Sequence, residues 1–120
     1  MKETNGKINV VLDSDVLINY SKGLVNLELY FEEYEKVYIS VITYLEIFGF
    51  EFSNKREEKL LTDISKKVVI VNINENIIKK VIDIRKKFKV KLPDAIIFAT
   101  ATFLNADLIS FNDADFKKLI

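Results

Sequence analysis

Short apolar runs rich in β-branched residues alternate along this chain with longer segments of helical periodicity. Four of the runs have the length and composition of buried strands. They cover residues 8–12, 37–41, 68–71 and 108–109, the last with Asp107 and Ser110 as its outer limits. Helical segments separate all successive strands, so the strands are expected to pair in parallel. The sequence therefore predicts a single α/β domain, residues 1–120, with a central parallel sheet of about four strands and helices on both faces.

Seven segments between and after these runs are predicted to be helices from the spacing of their apolar residues. They are residues 15–20, 24–34, 43–52, 55–65, 75–88, 93–104 and 113–119. The spacing places Leu24 on the inner face of the second helix, and Ile78 and Phe88 on the inner face of the fifth. The third helix is apolar at nearly every position and is expected to be mostly buried. Pro93 lies in a first turn, where helices tolerate proline, with Asp94 beside it.

Two absences from the composition exclude whole classes of chemistry. The 120-residue chain has no histidine and no cysteine, which rules out Ser-His-Asp and Cys-His catalysis, disulfides and histidine-ligated zinc. The net formal charge is zero, so any affinity for a polyanion has to come from a local basic patch. No apolar stretch is long enough to cross a membrane, and the polar N-terminus lacks the apolar core of a secretory signal. A cytoplasmic location without membrane association is therefore expected.

Three acidic residues lie in apolar surroundings, whereas most other acids lie in polar helices where solvation explains them. Asp13 directly follows the first strand, Glu46 lies inside ITYLEIFGF, and Asp94 opens the apolar helix LPDAIIFATA. Singly, Asp13 can cap a helix, Asp94 favours the positive end of its helix, and Glu46 can reach water at a helix edge. Together they are expected to converge, because the crevice of a parallel sheet lies beyond the carboxyl ends of its strands. The segment SFNDAD, residues 110–115, brings further oxygen atoms to that edge.

Mutual repulsion limits what such a cluster of carboxylates can be. Two carboxylates ~4 Å apart repel by about 4 kcal/mol at an effective dielectric constant of roughly 20. Three of them either take up protons or are neutralised by a hard cation. Oxygen ligands without histidine or cysteine select Mg²⁺ or Mn²⁺. Such an ion lowers the pKa of a bound water and stabilises charge on a phosphoryl group, so the residues predict a phosphodiester hydrolase that works without histidine.

Four stretches of the chain, VVLDSDVLINY, ISVITYLEI, LPDAIIFATA and LISFNDADF, resemble in content and order the motifs of the PIN-domain family, especially its VapC-type toxins. The resemblance implies an α/β fold and a metal-dependent endoribonuclease that leaves a 5′-phosphate. It assigns Asp13, Glu46 and Asp94 to the three main metal-ligand positions of the family, with Mg²⁺ or Mn²⁺ as the cofactor.

The fourth acidic position of the family falls on an amide in this chain, Asn112. Asp113 and Asp115 are close by in the sequence, and either could supply the missing carboxylate. Asn112 or Asp113 would then orient the attacking water or a second ion, and Asp113 and Asp115 are both candidate metal ligands. The resemblance leaves open whether one or two ions bind.

The resemblance also implies partners, namely an RNA substrate, a cognate antitoxin protein and a second copy of the chain in a homodimer. The early helices, residues 16–34, would offer a groove for an antitoxin helix. A basic run leads toward Asp94 and either tracks the phosphates of RNA or solvates a helix face. It consists of Lys79, Lys80, Arg85, Lys86, Lys87, Lys89 and Lys91.

Three other interpretations of the same residues remain open. A haloacid-dehalogenase-type phosphatase would use Asp13 and Asp15 as nucleophile and acid–base, but it gives Glu46 and Asp94 no role. A degenerate PIN domain that only binds partners is favoured by the amide at Asn112. A receiver-like signalling domain fits the order of the acids poorly.

Overall fold

Four short strands form one sheet in which every neighbouring pair is parallel. The computed structural model describes residues 8–49 and 51–119, with the side chains of Asp113 and Asp115 left undescribed. The elements follow in the order β1 (Asn9–Leu12), α1 (Ser14–Ser21), α2 (Glu28–Glu33), β2 (Lys36–Ser40), α3 (Val41–Phe48), α4 (Lys55–Ser65), β3 (Val69–Val71), α5 (Glu75–Lys87), α6 (Leu92–Leu104), β4 (Asp107–Ile109) and α7 (Asp113–Lys117). The predicted order of strands and helices and the parallel α/β fold are confirmed.

The strand order β3-β2-β1-β4 places a topological switch point beside β1. The chain first adds β2 and β3 on one side of β1 and then returns to add β4 on the other side. The pairing of Leu12 with Ile109 brings the carboxyl ends of β1 and β4 to the same height. The backbone amide of Asp13 extends this ladder by donating to the carbonyl of Ile109 at 3.0 Å. Open parallel sheets bind their ligands at such a point.

The side chains of β1 alternate between two apolar cores, one on each face of the sheet. Val10 and Leu12 pack with α1, α3 and α4, while Val11 packs with α5, α6 and α7. All three side chains are fully buried. The prediction of helices on both faces is therefore confirmed, and β1 is the strand on which both cores depend.

Side-chain caps explain where several helices begin. Asp13, Ser40, Asn54 and Asn74 each accept a hydrogen bond from a backbone amide in the first turn of α1, α3, α4 and α5, respectively. Ser40 thereby starts α3 at the position where β2 ends, so Val41 is helical and not the last strand residue that the sequence predicted. In the part of the chain that the structure describes, no helix is long and apolar enough to cross a membrane.

Helix α2 is much shorter than the predicted segment 24–34. The chain turns at Gly23, which has a φ of +77°, and the Asn26 side chain accepts from the backbone amide of Glu28. Helical hydrogen bonding therefore starts late, and Leu24 is exposed instead of facing the core. The prediction for Leu24 was wrong because a left-handed glycine and an asparagine turn interrupt the apolar spacing.

Burial on two other helices also differs from the prediction. Of the residues of α3, only Thr43 and Ile47 are buried, and Leu45 is 59% exposed. Helix α3 thus has more apolar side chains than the one face that packs against the rest of the protein can bury. On α5, Ile78 lies beside the buried stripe, and Phe88 lies past the last helical residue in extended backbone, so both are exposed.

Candidate active site

Asp13 lies at the switch point, directly after β1, and begins α1 as its N-cap. Its side chain is only 5% exposed. One carboxylate oxygen, Oδ1, accepts from the backbone amide of Ser14 at 2.7 Å, and the other, Oδ2, accepts from the hydroxyl of Ser110 at 2.7 Å. These bonds fix the orientation of the carboxylate, because both of its oxygens are held by groups on different elements.

Glu46 reaches the same place from α3 and meets Asp13 through one hydroxyl group. The Ser14 hydroxyl lies 3.2 Å from Glu46 Oε1 and 3.4 Å from Asp13 Oδ1. Burial raises the pKa of Glu46, the Ser14 hydrogen bond opposes that rise, and the negative charges of Asp13 and Asp94 add to it. The side chain of Glu46 reaches solvent, as a position at a helix edge allows. Of its neighbours in the sequence, Leu45 is exposed as well, whereas Ile47 is fully buried.

Asp94 lies in the first turn of α6, directly after Pro93, as predicted. It is half-buried, and its charge acts on Glu46. The structure therefore places Glu46 within electrostatic reach of both Asp13 and Asp94, although the three acids come from the start of α1, the second turn of α3 and the first turn of α6. As the side chains stand, the described residues contain no group of three acids with the geometry of a metal site. The role of these three residues as metal ligands stays a prediction.

Ser110 connects the end of β4 to the acid at the end of β1. Its hydroxyl donates to Asp13 and accepts from the backbone amide of Asn112 at 3.0 Å. Asn112 itself is exposed at the start of α7, and the backbones of Asp113 and Asp115 lie within that helix. The side chains of Asp113 and Asp115 are outside the described part, so the choice among the three candidates for the fourth position stays a prediction.

Asp15 is a further acid at this edge, which the sequence assigned only to the phosphatase alternative. Its Oδ2 accepts from the backbone amide of Phe111 at 3.2 Å and lies 3.5 Å from the Ser110 hydroxyl. Its Oδ1 is buried and has no hydrogen-bond partner among the described residues. Burial raises the pKa of Asp15, and the neighbouring charge of Asp13 raises it further. The close spacing of Asp13 and Asp15 in the sequence indicates that both acids lie at the same edge, whereas the contact of Asp15 with Phe111 follows from the pairing of β1 with β4.

The chemistry of these donors suits a hard divalent cation. The groups are carboxylates and hydroxyls, and the whole chain has no histidine or cysteine that would favour a softer metal. Burial is the main cause of the raised pKa values of Glu46 and Asp15, and an excess of negative charge at the switch point adds to both. A cation would relieve that excess and favour the ionised form of both groups.

The comparison with known families shows which class of protein combines this α/β sheet with acidic residues at its switch point. The sequence model of the PIN domain matches residues 10–120. The chain belongs to the PIN-domain family. VapC-type toxins of this family are nucleases, which supports a hydrolase that acts on nucleic acid. Neither the phosphatase nor the receiver-like interpretation agrees with this assignment.

Solved structures agree with the family. A chain in a toxin–antitoxin complex from Klebsiella pneumoniae is 30% identical with a TM-score of 0.75, and the match covers 89% of each chain. VapBC2 from Rickettsia felis, bound to a promoter DNA fragment, is 18% identical with a TM-score of 0.77 over 92% of each chain. VapC20 of Mycobacterium tuberculosis, a toxin that cleaves the sarcin–ricin loop, is 11% identical with a TM-score of 0.69 over 92% of this chain and 94% of that one. The last two show the fold alone. A comparison with curated protein sequences gives no significant match.

Proposed function

We propose that this protein is a Mg²⁺- or Mn²⁺-dependent endoribonuclease and the toxin of a toxin–antitoxin pair. The observation that carries the proposal is the Ser14 hydroxyl lying between the carboxylates of Asp13 and Glu46, with the charge of Asp94 acting on Glu46. Family membership and the 30% identity to a chain of a toxin–antitoxin complex support the choice of reaction and biological setting.

Asp13, Glu46 and Asp94 would hold the metal ion. When bound, the ion would lower the pKa of a water molecule and offset charge on the phosphoryl group. Ser14 and Ser110 keep the Asp13 carboxylate in one orientation, which lowers the entropic cost of assembling the site. The proton of the attacking water would pass to a carboxylate at the switch point, since the chain offers no histidine.

The fourth position would be filled from the segment after β4. Asn112, Asp113 and Asp115 are the candidates, and each would either bind a second ion or orient the attacking water. An amide can accept a hydrogen bond or coordinate weakly through its oxygen, whereas a carboxylate also brings charge. Exchange of Asn112 for aspartate would therefore strengthen binding of a second ion if Asn112 is the residue that fills the position.

The decisive experiment is cleavage of a labelled RNA with Mg²⁺ titrated in and then removed with a chelator. We expect Asp13→Asn to lower kcat/KM by at least about a hundredfold, because loss of a metal ligand removes charge that the reaction requires. Asparagine is an equally good N-cap, so the fold should be retained. Asp63→Asn is the matched control, because Asp63 forms only an exposed ion pair with Lys59. Full activity of Asp13→Asn, or cleavage that continues unchanged after the chelator is added, would refute the proposal.

The proposed protein partners are a cognate antitoxin and a second copy of the chain. A groove of about 440 Å³ with both polar and apolar lining lies beside α2, and Tyr20, Leu27 and Phe31 contribute to its apolar part. Glu28 and Lys67 provide charges at its border. These features fit an amphipathic helix of an antitoxin. Light scattering of the purified chain, alone and with its antitoxin, would measure the mass of the homodimer and of the complex. The proposed location of the protein is the cytoplasm.

Two observations favour a second candidate function, a PIN domain that binds partners without catalysis. The described residues hold no group of three acids in metal-binding geometry, and the fourth position of the family falls on an amide. This candidate predicts that RNA is bound but never cleaved, even at high Mn²⁺. The same cleavage experiment therefore decides between the two functions.

A further inference from the structure

The segment that joins α5 to α6 combines exposed cations with an exposed aromatic ring. Phe88 is 39% exposed and belongs to neither apolar core. It is flanked by the exposed side chains of Lys86, Lys87, Lys89 and Lys91. These five residues are called the basic rim below. Within the described part of the chain, none of the four lysines forms an ion pair.

Phe88 and Lys91 of the basic rim lie in extended backbone, whereas Lys86 and Lys87 form the end of α5. Phe88 has φ −131° and ψ 146°, and Lys91 has φ −67° and ψ 147°. Val90 packs on the second apolar core, and the amino group of Lys118 donates to the carbonyl of Lys89. The segment therefore presents its lysines and its ring on a fixed track and does not depend on binding to become ordered.

The basic rim leads directly to the candidate active site. Lys91 is the N-cap residue of α6, and Asp94 lies in the first turn of that helix. Charge is distributed unevenly for a chain with a net charge of zero, because residues 79–91 carry seven cations and one acid, Asp83. By contrast, residues 28–35 on the α2 side carry four glutamates and no cation. A polyanion is therefore drawn to the α5–α6 side.

We propose that the basic rim binds a single strand of RNA, with its lysines on successive phosphates and Phe88 stacked on an unpaired base. A track of cations with an interleaved aromatic ring is the arrangement that recognises unpaired strands. In duplex RNA the bases are stacked on one another, so no base face is available to the Phe88 ring. This inference rests on the proposed nuclease function and deepens it by specifying the form of the substrate and the surface that receives it.

Fluorescence anisotropy with a labelled, unstructured RNA of about 20 nucleotides, in a chelator to prevent cleavage, tests the proposal. Affinity of the unmodified protein should fall with salt, since each phosphate contact on a single strand contributes about −0.7 to the slope of log K against log salt. The triple variant Lys86→Gln, Lys87→Gln, Lys89→Gln should make that slope shallower by about 2. Phe88→Ala should weaken binding about five- to a hundredfold and leave the slope unchanged. Phe88→Tyr, which keeps an aromatic ring, should bind with the affinity of the unmodified protein.

A control variant on α4 has the same change in charge. Lys55→Gln, Arg56→Gln, Lys66→Gln removes three exposed cations from the opposite side of the sheet and should leave both affinity and slope unchanged. Equal weakening by this control, or unchanged binding by the basic-rim variants, would overturn the inference. Equal affinity for duplex RNA would overturn the stacking role of Phe88.

The binding assay separates this inference from the proposed function, because it contains no active metal. A protein that binds RNA through the basic rim but never cleaves would refute the nuclease and retain the binding surface. If the protein cleaves RNA but the basic-rim substitutions do not change its affinity, the nuclease function is retained and the binding surface is refuted. Circular dichroism of each variant confirms that the substituted side chains, all exposed, do not affect folding.

Discussion

The Tyr34 hydroxyl donates a hydrogen bond of 2.7 Å to Asp107 Oδ2 between two elements far apart in the chain. Tyr34 follows α2 and is 4% exposed, and Asp107 begins β4 and is 5% exposed. The substitution Tyr34→Phe keeps the ring and removes only the oxygen, so it measures what the hydroxyl contributes, with Asp107 as its buried acceptor. The bond matters for the site because β4 carries Ser110 to Asp13.

The expected loss follows from the charge and the burial of the acceptor. A hydrogen bond to a charged group contributes about 1.5–3 kcal/mol, and the partner left behind in Tyr34→Phe is buried. For a chain of this size, such a loss lowers Tm by about 5–15 °C. Tyr30→Phe, four residues earlier within α2, is the matched control, because the described residues provide no hydrogen bond for the Tyr30 hydroxyl. The free energy of unfolding of this variant should change by less than about 0.5 kcal/mol.

Alkaline pH provides a second measurement of the same bond. Burial raises the pKa of Tyr34, and the hydrogen bond and the negative charge of Asp107 raise it further. The folded protein therefore holds the phenol proton more tightly than the unfolded chain, whose tyrosines titrate near pH 10. The stabilisation is fully present below about pH 10 and is lost as the pH rises toward the folded-state pKa. Urea unfolding at several pH values should give a shallower alkaline decline for Tyr34→Phe; equal stability at pH 7 together with equal decline would refute the reasoning.

Three further substitutions test the positions that hold the site in place. Ser110→Ala removes the hydroxyl that orients Asp13, and should weaken the apparent affinity for Mg²⁺ or the cleavage rate about 10- to 100-fold; an unchanged Mg²⁺ titration would contradict this. Gly49→Ala should destabilise the protein by about 1–3 kcal/mol in urea unfolding, since a Cβ there would collide with the carbonyl of Leu45 at the end of α3. Asn105 ends α6 with a φ of 50°, so Asn105→Ala should cost about 1 kcal/mol while Asn105→Gly should not, and equal costs would exclude a backbone origin.

The order of strands and helices could be predicted because the apolar patterns and the helix-capping residues of this chain indicate the same elements. Each strand is a short β-branched run, and the helices that follow have capping residues at their starts, as at Asp13 and Ser40. The positions of Asp13 and Asp94 followed from the same logic, because carboxyl ends of parallel strands and the helix starts beside them meet at one edge. Chain order alone was enough for both.

Burial and side-chain contacts could not be predicted to the same degree. Leu45 and Phe88 are apolar and could be buried, but both are exposed. Whether such a side chain is buried depends on how many helices and strands pack around it, and this cannot be read from the sequence. The contact of Asp15 with Phe111 depends on β4 pairing with β1 instead of adding beyond β3. Several strand orders are compatible with the same alternation of strands and helices. The sequence therefore predicted which residues reach the edge but not how they bond there.

The contact between Asp13 and Ser110 joins residues that are 97 positions apart. During translation at about 5–20 residues per second, roughly 5 to 20 s pass between the synthesis of the first residue and that of the second. Over this interval the central strand β1 has no partner on its β4 side, and the Asp13 carboxylate is not held by Ser110. On a nascent chain the proposed metal site therefore lacks its Ser110 contact until β4 and the residue after it have emerged from the ribosome.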